Sequence, residues 1–219
     1  MNIPDALLNK TTRYVLSGDV TPRLLEEGIK YLGSFFDSEE KYFDFLLKLD
    51  KDRYDDFLYT IFFYWAHDLY RIPKEDRIRN IDGFMYQVTL SIIEHLDRSL
   101  KKGPKAKIKT FFNKFFTQTA KLKLNKVIKA KSLGEKPINL EFWEVLYDMR
   151  NEFIHDASWF NLLEDGGGFA SISGRKHRSH KGKNGKWVYI EYMCDIRIKF
   201  KDYLHYFWEA YINHFKTPN

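Results

Sequence analysis

Residues 141–159 read EFWEVLYDMRNEFIHDASW, and the spacing of their apolar side chains predicts one amphipathic helix. Asn139 is the expected N-cap, and Glu141 and Glu144 place negative charge in the first turns, where the helix dipole favours it. A helix with one apolar face must pack against other elements, so the stretch predicts a helical bundle. The apolar face consists of Phe142, Val145, Leu146, Met149, Phe153 and Ile154.

The polar side of this helix carries the pattern R-N-x-x-x-H. Asn151 and His155 are four residues apart and therefore lie on one side of the helix. Arg150 lies about 100° round the axis from Asn151, and its long side chain reaches the same patch. Cleavage of a phosphodiester by its neighbouring 2′-hydroxyl needs a base for the hydroxyl proton and a cation for the phosphate oxygens. His155 and Arg150 would supply these groups without a metal, and Asn151 would orient His155 or the phosphate.

At Arg150, Asn151 and His155 the chain resembles the HEPN superfamily, small all-helical proteins whose ribonuclease members often carry R-N-x-x-x-H on a late helix. The resemblance implies an all-α, HEPN-like helical bundle and a metal-independent endoribonuclease that needs no cofactor and leaves a 2′,3′-cyclic phosphate. It further implies a homodimer in which two motifs form one composite site. Members of this kind act in toxin–antitoxin pairs, with an antitoxin protein as partner, or in abortive infection. One toxin subgroup has Tyr two positions after the histidine; Ala157 stands there in this chain, so no such role is carried over.

A second interpretation of the motif needs no catalysis. Arg79 and Asn80 begin the same pattern elsewhere in the chain, but Phe84 stands where the histidine would be, so parts of the motif occur without it. In this interpretation Arg150 and Asn151 form a solvated helix face, and His155 is a hydrogen-bonded boundary residue. The protein would then be a non-catalytic helical module that binds nucleic acid or a partner protein.

Composition indicates a folded protein, predicted to be a single domain over residues 1–219. Aromatic residues make up 17% of the chain, which argues against disorder. Cys194 is the only cysteine and cannot form an intramolecular disulfide, which suits a reducing compartment. Residues 1–10 lack the basic and apolar regions of an export signal. The longest uncharged segments in the helical part, 57–67 and 83–93, are too short to cross a bilayer. A cytoplasmic protein without membrane association is therefore expected.

Positive charge is concentrated in one segment of the chain. Residues 1–100 contain 13 Lys and Arg against 18 Asp and Glu, whereas residues 101–136 contain 12 Lys against Glu135 alone. Such a field attracts a polyanion, and RNA is the expected partner. The candidate RNA-binding lysines of this segment are Lys105, Lys107, Lys109 and Lys114. A solvated helix face and a basic amphipathic helix lying on an anionic membrane are the other interpretations.

The helical pattern gives way to strands after the motif helix. Residues 187–200 alternate well, residues 169–173 form a shorter strand, and together they predict a small β-hairpin within residues 161–200, inserted before a last helix that ends near residue 215. The connection, residues 174–186, is predicted to be a mobile loop without acids. It contains the other candidate RNA-binding residues: Arg175, Lys176, Arg178, Lys181 and Lys183. His177 and His180 are too weak a signal for a metal site, so no metal ligand is predicted.

Overall fold

The computed structural model describes residues 20–64, 81–96, 103–132, 138–156, 170–181, 187–196, 198 and 200–218. This part of the chain is mainly helical, which confirms the predicted all-α class. Its helices are α1 (Val20–Gly33), α2 (Glu39–Lys48), α3 (Lys51–Tyr64), α4 (Ile81–Leu96), α5 (Pro104–Phe115), α6 (Gln118–Lys126), α7 (Phe142–Asp156) and α8 (Phe200–Lys216). Its strands are β1 (Ile128–Ser132), β2 (Ala170–Lys181) and β3 (Trp187–Ile196). Among the described helices, none has the length and apolar character needed to span a bilayer.

Contacts divide the chain into two compact units, residues 1–77 with 211–219, and residues 78–210. The first unit therefore contains α1, α2, α3 and the last turns of α8. The second contains α4 to α7, the three strands and the first turns of α8. The prediction of one domain over residues 1–219 stays a prediction.

The first unit is built on aromatic packing between α3 and the end of α8. The Phe57 and Tyr211 rings stack with their centroids 5.6 Å apart, and both side chains are fully buried. Arg53 donates hydrogen bonds to the carbonyl oxygens of His214 (2.7 Å) and Thr217 (2.9 Å), which satisfies acceptors that the end of a helix leaves unpaired. Desolvation by burial lowers the pKa of Arg53. These contacts fix the C-terminal turns of the chain on α3.

In the second unit, α5 packs against both α4 and α7. Phe112 of α5 stacks on Phe142, the first residue of α7, with ring centroids 6.3 Å apart. Tyr203 of α8 lies 5.6 Å from Phe142 and is completely buried, which raises its pKa. Thr89 of α4 donates to a carbonyl of its own helix, so its 3.1 Å contact with the Tyr203 hydroxyl has the tyrosine as donor. The motif helix α7 thus begins inside an aromatic core.

The basic segment is not one continuous helix. Phe116 has an extended backbone that ends α5, and Thr117 caps α6 by accepting a hydrogen bond from the Ala120 N–H (3.2 Å). The alternating residues Lys121 to Leu124 belong to α6, because Ala120 and Leu124 are four residues apart and both fully buried. Residues 128–132, within the basic segment 101–136, then form strand β1.

The three strands form one antiparallel sheet in the order β1–β3–β2. Strand β2 extends well beyond the strand predicted at 169–173 and pairs with β3 from Ala170 opposite Ile196 to Lys181 opposite Trp187. Residues 174–181, predicted to be loop, are therefore strand, with an irregularity between Arg178 and Lys181. The error has a physical cause: nearly every residue there is polar, so no apolar alternation marks the strand, and its pairing is set by β3. The remaining loop residues, 182–186, lie outside the described part of the chain.

Candidate functional site

Helix α7 carries the motif, and its start is fixed by side chains from two places. The Phe142 N–H donates to Oδ1 of Asn125 on α6 (2.8 Å), and the Glu141 N–H donates to Oε2 of Glu144 (2.9 Å). These bonds satisfy donors that the first turn of a helix leaves unpaired. Because α7 begins at Phe142, Glu141 occupies the N-cap position, and the expectation that Asn139 caps this helix is wrong.

Arg150 forms an ion pair with Glu94 near the end of α4. Its Nε donates to Oε1 at 2.8 Å, and one terminal nitrogen, Nη2, contacts Oε2 at 3.4 Å. The side chains are 18% and 27% exposed, so water reaches both but surrounds neither. Two-point contact with a carboxylate fixes the plane of the guanidinium. Arg150 is therefore held in one orientation by a residue 56 positions earlier in the chain.

The ion pair with Glu94 occupies only one side of the guanidinium. A guanidinium has five N–H donors, and the contact with Glu94 uses only the Nε and Nη2 side. Within the described part of the chain, Nη1 has no hydrogen-bond partner. The outer end, formed by Nη1 and the second hydrogen of Nη2, has the geometry to bind two oxygens of a phosphate.

A second cation meets the same turn of α4. Lys107 of α5 donates from Nζ to the backbone carbonyl oxygen of Glu94 at 3.0 Å. Glu94 lies in the last turn of α4, where carbonyl groups lack partners within the helix and carry partial negative charge. Glu94 therefore binds Arg150 through its side chain and Lys107 through its backbone, so that α5 and α7 are both tied to the end of α4.

The other two motif residues are only partly described. Asn151 follows Arg150 in α7, is half-buried, and has no side-chain hydrogen bond to any residue in the described ranges. His155 lies in the last turn of α7, and its side chain is outside what the structure describes. The approach of Arg150, Asn151 and His155 to one another therefore stays a prediction from their helical spacing.

The lysines predicted to bind RNA on α5 are found in different surroundings. Nζ of Lys105 lies 5.5 Å from the centre of the Tyr147 ring, and Nζ of Lys109 lies 5.2 Å from the centre of the Trp143 ring. Both distances are typical of cation–π contacts. Lys114 lies over Phe115 of its own helix. Lys105, Lys109 and Lys114 are exposed.

The candidate residues after the motif helix lie on β2 or beyond it. Arg175 pairs with Glu191 in register, Lys176 with Ile190, Arg178 with Val188 and Lys181 with Trp187. Lys183 lies outside the described residues. The structure thus places four of these five residues on one strand, and RNA binding by them stays a prediction.

A metal centre and a ligand cavity are two other kinds of site that the described residues could form. No group of three or more histidine, cysteine, aspartate or glutamate side chains is placed to hold a metal ion in that part of the chain. The first unit contains an open cavity of about 500 Å³ that is lined by four cations, two acids and five apolar residues. Its lining consists of Phe36, Lys41, Asp44, Phe45, Lys48, Leu49, Asp50, Arg53, Phe215, Lys216 and Pro218. Lys41 is paired with Asp37 (2.7 Å), and the Arg53 guanidinium is used by backbone carbonyls, so this lining is largely satisfied internally.

No family model, curated protein or solved structure matches the chain. The site is therefore defined by its own geometry.

The sequence identified Arg150 as the cation of the site. It did not identify Glu94, which holds Arg150, or the aromatic residues of α7 that contact the lysines of α5. Glu94 was detectable only as an acid that ends the uncharged run of α4. Trp143 and Tyr147 are four residues apart on α7 and face lysines that are four residues apart on α5. That matching spacing was present in the sequence, but the pairing of the two helices was not.

The Glu94–Arg150 pair gives the first prediction. Glu94→Ala should lower the free energy of unfolding by about 1–2 kcal/mol, because it leaves a mostly buried guanidinium without its carboxylate while residual water limits the loss. Urea unfolding of Glu94→Ala, Arg150→Ala and the double variant measures the coupling between the two residues. Losses that simply add would show that the pair contributes no interaction energy.

Proposed function

We propose that the protein is a metal-independent endoribonuclease that cuts RNA by attack of a 2′-hydroxyl on the adjacent phosphate. His155 moves the proton, Arg150 stabilises negative charge on the phosphate oxygens, and Asn151 orients the imidazole or the phosphate. The observation that carries the proposal is the side-on clamp of Arg150 by Glu94 within the R-N-x-x-x-H motif. A cation fixed before substrate arrives needs little reorganisation in the transition state.

The reaction needs two proton transfers. A base removes the 2′-hydroxyl proton as O2′ forms a bond to phosphorus, and the bond from phosphorus to the 5′-oxygen breaks as that oxygen takes up a proton. The products are a 2′,3′-cyclic phosphate and a 5′-hydroxyl. One imidazole is poorly placed to serve both oxygens of an in-line displacement, so we infer that His155 of a second copy supplies the other transfer. The active form would then be a homodimer with a composite site.

Cleavage in the presence of EDTA tests the proposal. The purified protein should cut single-stranded RNA at the same rate with and without EDTA, and its products should end in 2′,3′-cyclic phosphate. The end group is read with a phosphatase: the cyclic phosphate resists it, whereas acid opens the ring to a monoester that the phosphatase removes, which leaves a 3′ end that can be ligated. RNA in which the 2′-hydroxyls are methylated is the matched control and should not be cut. Loss of cleavage in EDTA would overturn the metal-free mechanism.

A cytoplasmic nuclease of this kind fits a toxin held in check by an antitoxin protein, or an abortive-infection factor. A second candidate function, binding without catalysis, is favoured by the same ion pair, because a structural arginine would also be clamped by Glu94. The two functions differ in one measurable respect. The non-catalytic module binds RNA or a partner protein and leaves the RNA intact.

A further inference from the structure

The four lysines of α5 form two pairs on opposite flanks of the helix. Lys105 and Lys109 are one turn apart, whereas Lys107 and Lys114 lie about 140–160° round the axis from Lys109. The structure gives each flank a different neighbour. Lys107 contacts the end of α4, and the pair Lys105 and Lys109 faces α7. Only the second pair therefore lies beside the motif helix.

Lys105 and Lys109 are held above two aromatic rings of α7. Lys109 lies over Trp143 and Lys105 lies over Tyr147, so the order of the contacts runs in opposite directions along the two helices. An ordinary surface lysine loses side-chain conformational entropy when it is ordered on a ligand. The rings order these two side chains in advance, yet both lysines remain exposed. The result is two pre-positioned ammonium groups, those of Lys105 and Lys109, which together form a lysine row.

We propose that this lysine row binds the phosphate backbone of single-stranded RNA and directs the strand to Arg150 and Asn151. The two lysines are about 6 Å apart along the helix, close to the separation of successive phosphates in an extended strand. One turn beyond Tyr147 on α7 comes Asn151, so the same line continues into the motif. This direction of entry rests on the proposed function, whereas the binding itself does not.

The chemistry favours backbone contacts over contacts with bases. Trp143 is only 5% exposed and its ring is covered by Lys109, so it offers no open face for stacking. Charge contacts to phosphates carry no sequence information, and the row should bind different sequences alike. A single row of cations matches the phosphates of one strand, whereas a duplex presents two phosphate backbones. A flexible strand can also adopt the in-line geometry that 2′-hydroxyl attack requires.

The acids near the row are largely committed to other contacts. Glu94 pairs with Arg150, and Glu144 accepts the backbone N–H of Glu141 at the start of α7. Asp148 follows Tyr147 on α7 and is half-buried. Across residues 101–136 there are 12 lysines and one acid, so the surrounding field favours an anionic strand.

The test compares two variants that each lose two positive charges. Lys105→Gln with Lys109→Gln removes the row, and Lys123→Gln with Lys126→Gln, two exposed lysines of α6, is the matched control. Lys123 is also exposed and also lies over an aromatic ring, Tyr206 at 5.8 Å, so the control loses a comparable contact. Both variants carry His155→Ala, which prevents cleavage during binding, and thermal melting checks that both are folded. Binding of a labelled single-stranded RNA is measured over a range of salt concentrations.

We expect the row variant to bind the RNA about tenfold more weakly, and its salt slope to fall by about 1.4, or about 0.7 for each lost phosphate contact. The control should keep most of its affinity and slope. Equal losses in the two variants would overturn the proposal, as would duplex RNA binding as tightly as the single strand. Binding to phosphatidylserine vesicles in place of RNA would assign the row to membranes. If the wild-type protein binds RNA through the row but does not cleave it, the proposed nuclease activity is refuted and the proposed RNA-binding row is not.

Discussion

His155→Ala should slow RNA cleavage by about 10²–10⁴-fold, the usual contribution of a positioned acid or base. Arg150→Ala should cause a comparable loss, because the developing charge on the phosphate loses its fixed cation. Initial rates on one RNA at saturating concentration, measured under identical salt and pH, give these ratios. Under the composite-site model, neither variant retains a complete catalytic set in either protomer.

The two variants carry different risks, and each has its own control. Arg150→Ala also leaves Glu94 without its partner, so its melting temperature is compared with that of Glu94→Ala, which loses the same ion pair from the other side. Arg150→Lys keeps the charge but not the planar fork, and it should fall between wild type and Arg150→Ala. His205→Ala, an exposed histidine on α8, should cut at the wild-type rate. A mixture of His155→Ala and Arg150→Ala proteins should stay inactive, because a mixed dimer has one His155 and the composite site needs two. Full activity in either single variant would refute the assigned roles.

The sequence predicted those features that are encoded locally. The three- and four-residue spacing of apolar side chains predicted α7, and Phe142, Val145, Leu146 and Met149 are indeed buried in it. A cap is another such local feature: Ser38 precedes α2, and its side chain accepts the Lys41 N–H at 3.3 Å. Caps and amphipathic faces depend on residues within one or two turns, which is why they can be predicted from a single sequence.

Features that depend on partners far away in the chain could not be predicted from the sequence. Glu94 and Arg150 are 56 residues apart, and nothing near Arg150 in sequence specifies which of many acids it meets. The same holds for β1 and β2, whose pairing is dictated by β3, for example Lys129 opposite Asp195. Their own residues are too polar to show which face is buried. Long-range pairing is chosen by the packed helices and by the central strand, so it appears only in three dimensions.

Phe142→Ala should lower the free energy of unfolding by about 3–5 kcal/mol, the usual cost of removing a fully buried aromatic ring. The side chain is fully buried, and its ring meets Phe112 and Tyr203 at centroid distances of 6.3 and 5.6 Å. Its removal leaves a cavity beside the rings of Phe112 on α5 and Tyr203 on α8 and loosens the first turn of α7. Leu122→Ala, at a 54% exposed position on α6, is the control and should change stability by less than about 0.5 kcal/mol.

The same variant separates stability from catalysis. Phe142 is two turns from Arg150, so at a temperature where Phe142→Ala remains folded its cleavage rate should stay close to that of wild type. Near its lowered melting temperature, cleavage should fall in proportion to the folded fraction.

Phe142→Leu keeps most of the side-chain volume and should lower the free energy of unfolding by less than about 1.5 kcal/mol. Urea unfolding followed by tryptophan fluorescence, with a constant m-value, gives the ΔΔG. A loss below about 1 kcal/mol for Phe142→Ala would mean that α7 is not anchored through this ring, and the fixed orientation of Arg150 would then depend on Glu94 alone.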